Sequence, residues 1–492
     1  MHCKCRNNED SSGNENSVTH LQKFLTNISS LTLADIISRI IGFFATAYLA
    51  RILGVEKFGE INLGFTALSY GMLVINPGIL LYATREISKP NCATSFVSDI
   101  LSLRLFLSCA TVAVFSFFVL YIFQANVALL LSMLFLFSLI PSSLLLEWYF
   151  QAREKIILVS ISRIIAQVFY LALILFFYQV FQSLWWIPVA WLFSGIISTI
   201  FLWFFLRKEH TSFSLQLNFL SLFYRDGKWN TLLRESFPIG LGTWLAQIVT
   251  NFPLLALGIL LTSADVGNYS AAFKIVFVAL IVDRIFMYVF YPLIIKTYNE
   301  SSEKLQTTLS FSIKIIITLL LPLCAGVCVL APSLIHFIFG DGYEGAVPLL
   351  RVAIWFVLFS TMHSIFSFGL IGTGKEKIFS HTMLFTVAMQ MLLCVLGILF
   401  FGAIGAPAGV VVGEIIAVGI IALQFKKFVH IPFVQHFFRP LVATTVMVLV
   451  LYFTPSIPFM VNIVCGAILF AVVLWIMGGI SKEDFLKFQE LV

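Results

Sequence analysis

The chain has 492 residues, 60% of them hydrophobic and only 11% charged, with a formal net charge of +6 and a mean hydropathy of +0.99. A soluble globular domain carries about 25% charged residues, so the composition excludes a water-soluble enzyme or nucleic-acid-binding module. It points to an all-α polytopic membrane protein.

Residues 1–28 are mostly polar, rich in Asn and Ser, and lack the apolar core of a cleavable signal. They read as a disordered cytoplasmic tail and the start of the first helix. Cys3 and Cys5 do not have the spacing of a zinc site, and no metal is expected. Beyond them, apolar windows of about 20 residues, long enough to cross the hydrocarbon as helix, predict about 14 transmembrane helices. They lie near 29–52, 60–83, 97–122, 126–149, 157–181, 185–206, 236–261, 268–293, 307–331, 347–371, 378–401, 404–425, 438–455 and 457–478. Residues 29–206 thus form an N-lobe of six helices and 236–426 a C-lobe of six, joined by a cytoplasmic connector at 207–235. Residues 438–478 add a helix pair, and 479–492 form a cytoplasmic tail.

Of the 30 Lys and Arg residues, 21 fall in alternate gaps between these runs. They are Lys4, Arg6 and Lys23, then Arg85/Lys89, Arg153/Lys155, Arg207 through Arg234, Lys296/Lys304, Lys375/Lys377, Lys426/Lys427/Arg439 and Lys482/Lys487. The other gaps hold only Arg51 and Lys57. Basic loops stay in the cytoplasm, which places both termini inside.

The halves carry an internal echo. Leu53 through Phe65 align with Leu261 through Phe273 at an offset of 208, and Arg153-Glu154-Lys155-Ile156 with Lys375-Glu376-Lys377-Ile378 at an offset of 222. Six spans per half is an even number, so the lobes keep one orientation and are related by a pseudo-two-fold axis along the membrane normal. Asn76-Pro77-Gly78, Pro253 and Pro322 are expected to interrupt the second, seventh and ninth spans.

Seven cations lie inside the apolar runs, Arg39, Arg104, Arg163, Lys274, Arg284, Lys314 and Arg351, against four acids, Asp35, Glu147, Asp283 and Glu414. Charge at membrane depth is costly and marks a pathway or a pair. Full pairing of the acids still leaves a positive surplus, which a low-dielectric cavity tolerates best with an anion bound. Arg39, Arg284, Arg104, Arg163, Lys274 and Lys314 are therefore candidate substrate contacts. Asp35, Asp283 and Glu414 are candidates for coupling to a proton or sodium gradient, although Asp35 and Arg39 are also spaced to pair on one helix face. His336, His363 and His381 read as lone residues near span ends.

Enzymatic motifs fail. Gly369 through Lys375 follows the phosphate-loop pattern, but Glu376 stands where Ser or Thr would hold magnesium. Neither a His-Glu-x-x-His signature nor a nucleophile elbow occurs, and no extracytoplasmic gap exceeds about 16 residues, so neither a catalytic site nor a cofactor is expected.

Further strings fall in order along the chain: Ala50-Arg51-Ile52-Leu53-Gly54 with Phe58-Gly59, Ala83-Thr84-Arg85-Glu86-Ile87, and Trp148-Tyr149-Phe150-Gln151-Ala152. They continue with Val266 through Ala272, Gly340-Asp341-Gly342-Tyr343, and Gly402-Ala403-Ile404-Gly405-Ala406. In these the chain resembles the polysaccharide transport family, the Wzx-type O-antigen repeat-unit flippases, of the multidrug/oligosaccharidyl-lipid/polysaccharide exporter superfamily. The resemblance implies two lobes around a cationic cavity and alternating access. It further implies an undecaprenyl-diphosphate-linked oligosaccharide turned across the bacterial cytoplasmic (inner) membrane, with membrane lipid and other polysaccharide assembly proteins as partners.

Ser38-Arg39-Ile40-Ile41-Gly42-Phe43 is similar to the first-span motif of the related lipid II flippases, which makes Arg39 the leading diphosphate contact. The second arginine usual in those proteins is replaced by Ala45, which weakens a lipid II assignment. A cation-coupled multidrug antiporter of the same fold should prefer an acidic cavity. An integral-membrane glycosyltransferase or polymerase should need a larger aqueous domain.

Overall fold

The computed structural model describes residues 10–89, 94–122, 126–209, 228–372, 374, 376–426, 433–454 and 458–479, with side chains from residue 37 onward except at 94–95, 121–122, 209, 228, 288, 302, 376–378, 425–426 and 433–436. Cys3, Cys5, the side chain of Asp35, most of the 207–235 connector and the 479–492 tail apart from Gly479 lie outside the described residues.

Every regular element among the described residues is helical. In chain order they are α1 (Asp10–Ile75), α2 (Ile79–Ile87), α3 (Thr94–Phe117), α4 (Val127–Leu136), α5 (Leu139–Ser143), α6 (Glu147–Ala152), α7 (Ile156–Phe181), α8 (Trp186–Glu209) and α9 (Lys228–Leu260). There follow α10 (Ser263–Ala279), α11 (Ile281–Glu300), α12 (Ser302–Phe339), α13 (Ala346–Ala353), α14 (Trp355–Gly372), α15 (Glu376–Phe401), α16 (Gly405–Lys426), α17 (Phe433–Phe453) and α18 (Phe459–Ile476). Ten helical stretches among the described residues are long and apolar enough to cross a membrane, and Phe437–Phe453 is a shorter apolar helix. The chain is an all-α, multi-pass integral membrane protein.

Some of these stretches contain a turn. Ile37–Ile75 includes Gly54, whose backbone (φ 74°, ψ 171°) is not helical. Phe379–Gln424 holds α15 and α16, separated by a single 3-10 turn at Gly402–Ile404. Small residues bring α15 and α16 together: a Cβ on Gly405 or Gly409 would overlap the carbonyls of Gly397 or Leu393, and one on Gly413 would strike the Gln390 side chain. Close approach of this kind is how helices gain packing where no hydrophobic contrast drives them together.

The chain divides into two compact units, Met1–Thr46 with Ala67–Trp244, and Ala47–Thr66 with Leu245–Val492. The core of the first gathers Ile79, Leu101, Trp148, Phe150, Leu202 and Trp229. That of the second gathers Phe58, Leu257, Tyr269, Leu320, Phe339 and Phe366. In the second unit α17 and α18 also pack together, through Ala443, Met447, Leu451 and Phe470, and lean on Val329 of α12.

Within the second unit the two aligned strings meet each other. A Cβ on Gly59 would overlap the carbonyl of Ser263, and a Cβ on Gly267 would overlap the carbonyl of Val55. At an offset of 208, Ser263 is the counterpart of Val55 and Gly267 of Gly59, so each string offers the other the same glycine and the same carbonyl. Such a reciprocal contact has the isologous form that a two-fold relation produces. Nearby, the Arg51 guanidinium donates to the Ile338 carbonyl at 2.9 Å and also to that of Phe337. It thereby satisfies the open C-terminal carbonyls of α12 and complements their negative dipole. Tyr343 donates its hydroxyl to the Ala50 carbonyl at 2.8 Å, with its ring edge-on to Phe58 at 6.1 Å.

Only one of the three expected proline breaks is present. α1 ends at Ile75 and α2 begins at Ile79, with Gly78 left-handed (φ 85°) and the Asn76 side chain accepting from the Leu80 N–H at 3.0 Å. By contrast, α9 and α12 run unbroken through Pro253 and Pro322. Proline is tolerated in membrane helices when neighbouring groups take up the freed carbonyl.

Gly59→Ala and Gly267→Ala should each lower the thermal stability of the purified protein by about 1–3 kcal/mol, the usual cost of overpacking. Gly242→Ala, where a Cβ meets nothing within 4 Å, should not. Equal melting temperatures for all three variants would contradict the contact described.

Candidate functional site

Arg104, Glu147 and Arg163 of the first unit gather at an interrupted stretch. α4 stops at Leu136, α5 is one short turn containing Pro141, and residues 144–146 are non-helical before α6. The broken ladder leaves carbonyls that need donors in an apolar setting, and side chains from neighbouring helices supply them. Thr199 Oγ1 donates to Pro141 at 3.1 Å, Arg104 Nη2 to Ser142 at 2.9 Å, and Trp203 Nε1 to Leu144 at 3.0 Å. Trp148 Nε1 donates to Leu145 at 3.1 Å and the residue is 3% exposed, so this aromatic is a core residue.

Arg104 is likewise 3% exposed, and its Nε and Nη1 are buried without a hydrogen-bond partner. The Glu147 carboxylate acts on it electrostatically. That carboxylate is also held by Arg163, whose Nη2 and Nε reach one oxygen at 2.7 and 3.1 Å. Two guanidiniums thus act on one acid.

The second unit holds the other candidates. On α16, Glu414 is 5% exposed. One of its carboxylate oxygens lies 2.6 Å from Nδ1 of His363 on α14, and the other accepts from the side-chain amide of Gln390 on α15. On α11, the Asp283 carboxylate accepts a hydrogen bond from Ser364 and feels the charges of Arg284, Glu414 and His363. Its Oδ1 is buried with no partner. Sequence alone pairs neither His363 nor Gln390 with Glu414, because the partners lie 51 and 24 residues away. The available signal was only that each is a polar residue inside an apolar run.

The remaining candidates are placed separately. Arg39 on α1 and Arg284 on α11 are exposed, and both take part in further interactions, as does the half-buried Lys314 of α12. Lys274, half-buried on α10, has no hydrogen-bond or ion-pair partner among the described residues. The Asp35 side chain lies outside the described residues. No group of three or more His, Cys, Asp or Glu among the described residues is arranged to hold a metal ion.

This helical arrangement is the fold of the transporters of the MOP superfamily. It matches the lipid II flippase MurJ in an inward closed conformation with a TM-score of 0.70 at 15% identity, covering 91% of this chain and 98% of that one. An inward-facing multidrug resistance transporter of the MATE family gives 0.64 at 16% identity, with 82% and 97% covered. The polysaccharide biosynthesis protein family model matches residues 24–298, more than half of the sequence, and the chain belongs to that family. Among curated relatives it is similar to a probable low-salt glycan biosynthesis flippase, Agl15, of Haloferax volcanii, at 21% identity over 178 residues. The match spans 36% of this chain and 38% of that protein's length.

Glu147→Gln should destabilise the purified protein by about 1–3 kcal/mol by removing the carboxylate charge that Arg163 binds in a partly buried site. Glu147→Gln combined with Arg163→Met should recover part of that loss, as a double-mutant cycle of melting temperatures would register.

Proposed function

We propose that this chain is a flippase for an undecaprenyl-diphosphate-linked oligosaccharide repeat unit, which it turns from the inner to the outer leaflet of the bacterial cytoplasmic membrane. In this scheme the chain crosses the membrane 14 times with both termini in the cytoplasm, and its lobes, 29–206 and 236–426, alternate access to the cargo. Membership of the polysaccharide biosynthesis protein family carries the assignment. Support comes from the surplus of intramembrane cations over acids, which suits a diphosphate, and from the similarity to a probable glycan biosynthesis flippase and to a lipid II flippase.

Arg39 is the principal diphosphate contact in this scheme, with Arg284, Arg104, Arg163, Lys274 and Lys314 as further positive groups. The sugars stay hydrated and the lipid tail stays in the bilayer. A cationic surplus disfavours a cationic drug as cargo, so a multidrug antiporter is the weaker alternative. The absence of a second arginine at Ala45 likewise disfavours lipid II.

Deletion in the native host, followed by measurement of lipid-linked intermediates on each leaflet, tests the assignment. Accumulation in the inner leaflet is the expected result. Accumulation in the outer leaflet would indicate a polymerase, and no accumulation an unrelated antiporter. In the complemented deletion strain, Arg39→Ala should lower surface polysaccharide at least about tenfold, while Arg39→Lys, which keeps the charge but loses the planar fork, should retain an intermediate level. Wild-type output from Arg39→Ala would remove that residue from the scheme.

A further inference from the structure

We propose that the first unit holds a phospholipid with an anionic headgroup, its acyl chain in an apolar groove between residues 137–144 and α8 and its phosphate at Arg207 and Lys208. The groove has a volume of about 420 Å³, within the range of sites that hold a small ligand. Phe137, Ile140 and Leu144 line one side, and Leu192, Ile196 and Ile200 of α8 line the other. It lies where the helix is broken between Leu136 and Glu147, a place that would otherwise present bare carbonyls.

Those carbonyls are already taken. Thr199 donates to Pro141, Arg104 to Ser142 and Trp203 to Leu144, and the lining of the groove is almost wholly apolar. A buried water needs several polar partners and would find too few here, whereas a hydrocarbon chain needs none. One wall also belongs to surface that meets the bilayer. Ile200 is 61% exposed and falls at helical spacing with the exposed Phe193 and Phe204, on a helix long and apolar enough to cross a membrane.

The far end of the same helix face selects the headgroup. Ile196, Ile200, Trp203 and Arg207 are spaced to form one stripe along α8. Arg207 follows Ile200 by about two turns, or about 10 Å along the axis, and Lys208 is next to it in the last turn. Both side chains are exposed. Basic residues at a helix end near the membrane surface attract anionic lipid headgroups, and the planar fork of Arg suits a phosphate. A headgroup held there sends its chain along the stripe into the groove. Anchorage at the surface suits a lipid that stays in its leaflet, and not a cargo that must leave it. In the topology proposed above this end of α8 is cytoplasmic, which makes the ligand an inner-leaflet phospholipid. The site itself stands on the groove and the two cations, independently of the flippase assignment.

The test uses the full chain in nanodiscs of phosphatidylcholine containing a minor fraction of phosphatidylglycerol with a photoreactive diazirine in one acyl chain. Labelled peptides are mapped by mass spectrometry after irradiation. Label should concentrate on residues 137–144 and 192–200, about tenfold above that given by the same diazirine chain on phosphatidylcholine. Arg207→Gln with Lys208→Gln, both at exposed positions, should lower the label there about tenfold. Ile196→Trp, which fills the groove, should remove it; if that variant does not fold, the double variant decides. Equal labelling by the two headgroups, label spread evenly over all lipid-facing helices, or label unchanged in the double variant would each overturn the proposal. Loss of label on adding equimolar undecaprenyl phosphate would overturn it too, by giving the groove to an isoprenoid chain. Labelling requires no transport, so a failed flipping assay bears on the proposed function and leaves this readout unaffected.

Discussion

Inside hydrocarbon a polar group must find its partner within the protein, because water is not there to supply one. That constraint accounts for much of the side-chain placement seen in both units. The stretch from Phe137 to Leu146 cannot continue as a regular helix through its breaks, and Thr199, Arg104, Trp203 and Trp148 converge on its carbonyls. Arg51 serves the last carbonyls of α12 in the same way. An intramembrane arginine is therefore not automatically a ligand contact: Arg104 is a donor to the Ser142 carbonyl.

Close packing supplies the second constraint. Where two backbones approach without side chains between them, as at Gly59 with Ser263 and Gly267 with Val55, the contact is short-ranged and sensitive to a single added carbon. The reciprocal arrangement means that a relative shift of the two strings alters both contacts together. It also gives a physical reason for the echo at an offset of 208: the same small residue is needed at both places because each string presents a carbonyl to the other's glycine.

What was legible in the sequence follows from these constraints. Apolar runs and alternating basic gaps report on the membrane directly, so the helical, multi-pass character and the family strings were readable. Asn76-Pro77-Gly78 was readable as a break because proline and a left-handed glycine fall together there. Pro253 and Pro322 looked alike and are not breaks; local sequence does not show whether a neighbouring helix takes up the freed carbonyl. Helical periodicity also fixes which residues share a face, but not the register between one helix and the next. Asp35 and Arg39 could be paired on paper for that reason, whereas His363 and Glu414, 51 residues apart, could not.

The interior carboxylates Glu147 and Glu414 are held in different ways. In the first unit Glu147 binds the Arg163 guanidinium and acts on Arg104, itself tied to the Ser142 carbonyl. In the second, Glu414 lies against His363 and Gln390, which come from two further helices. Both arrangements meet the same demand: an acid in an apolar setting needs nitrogen groups from neighbouring helices around it, so each carboxylate also ties together the helices that supply them.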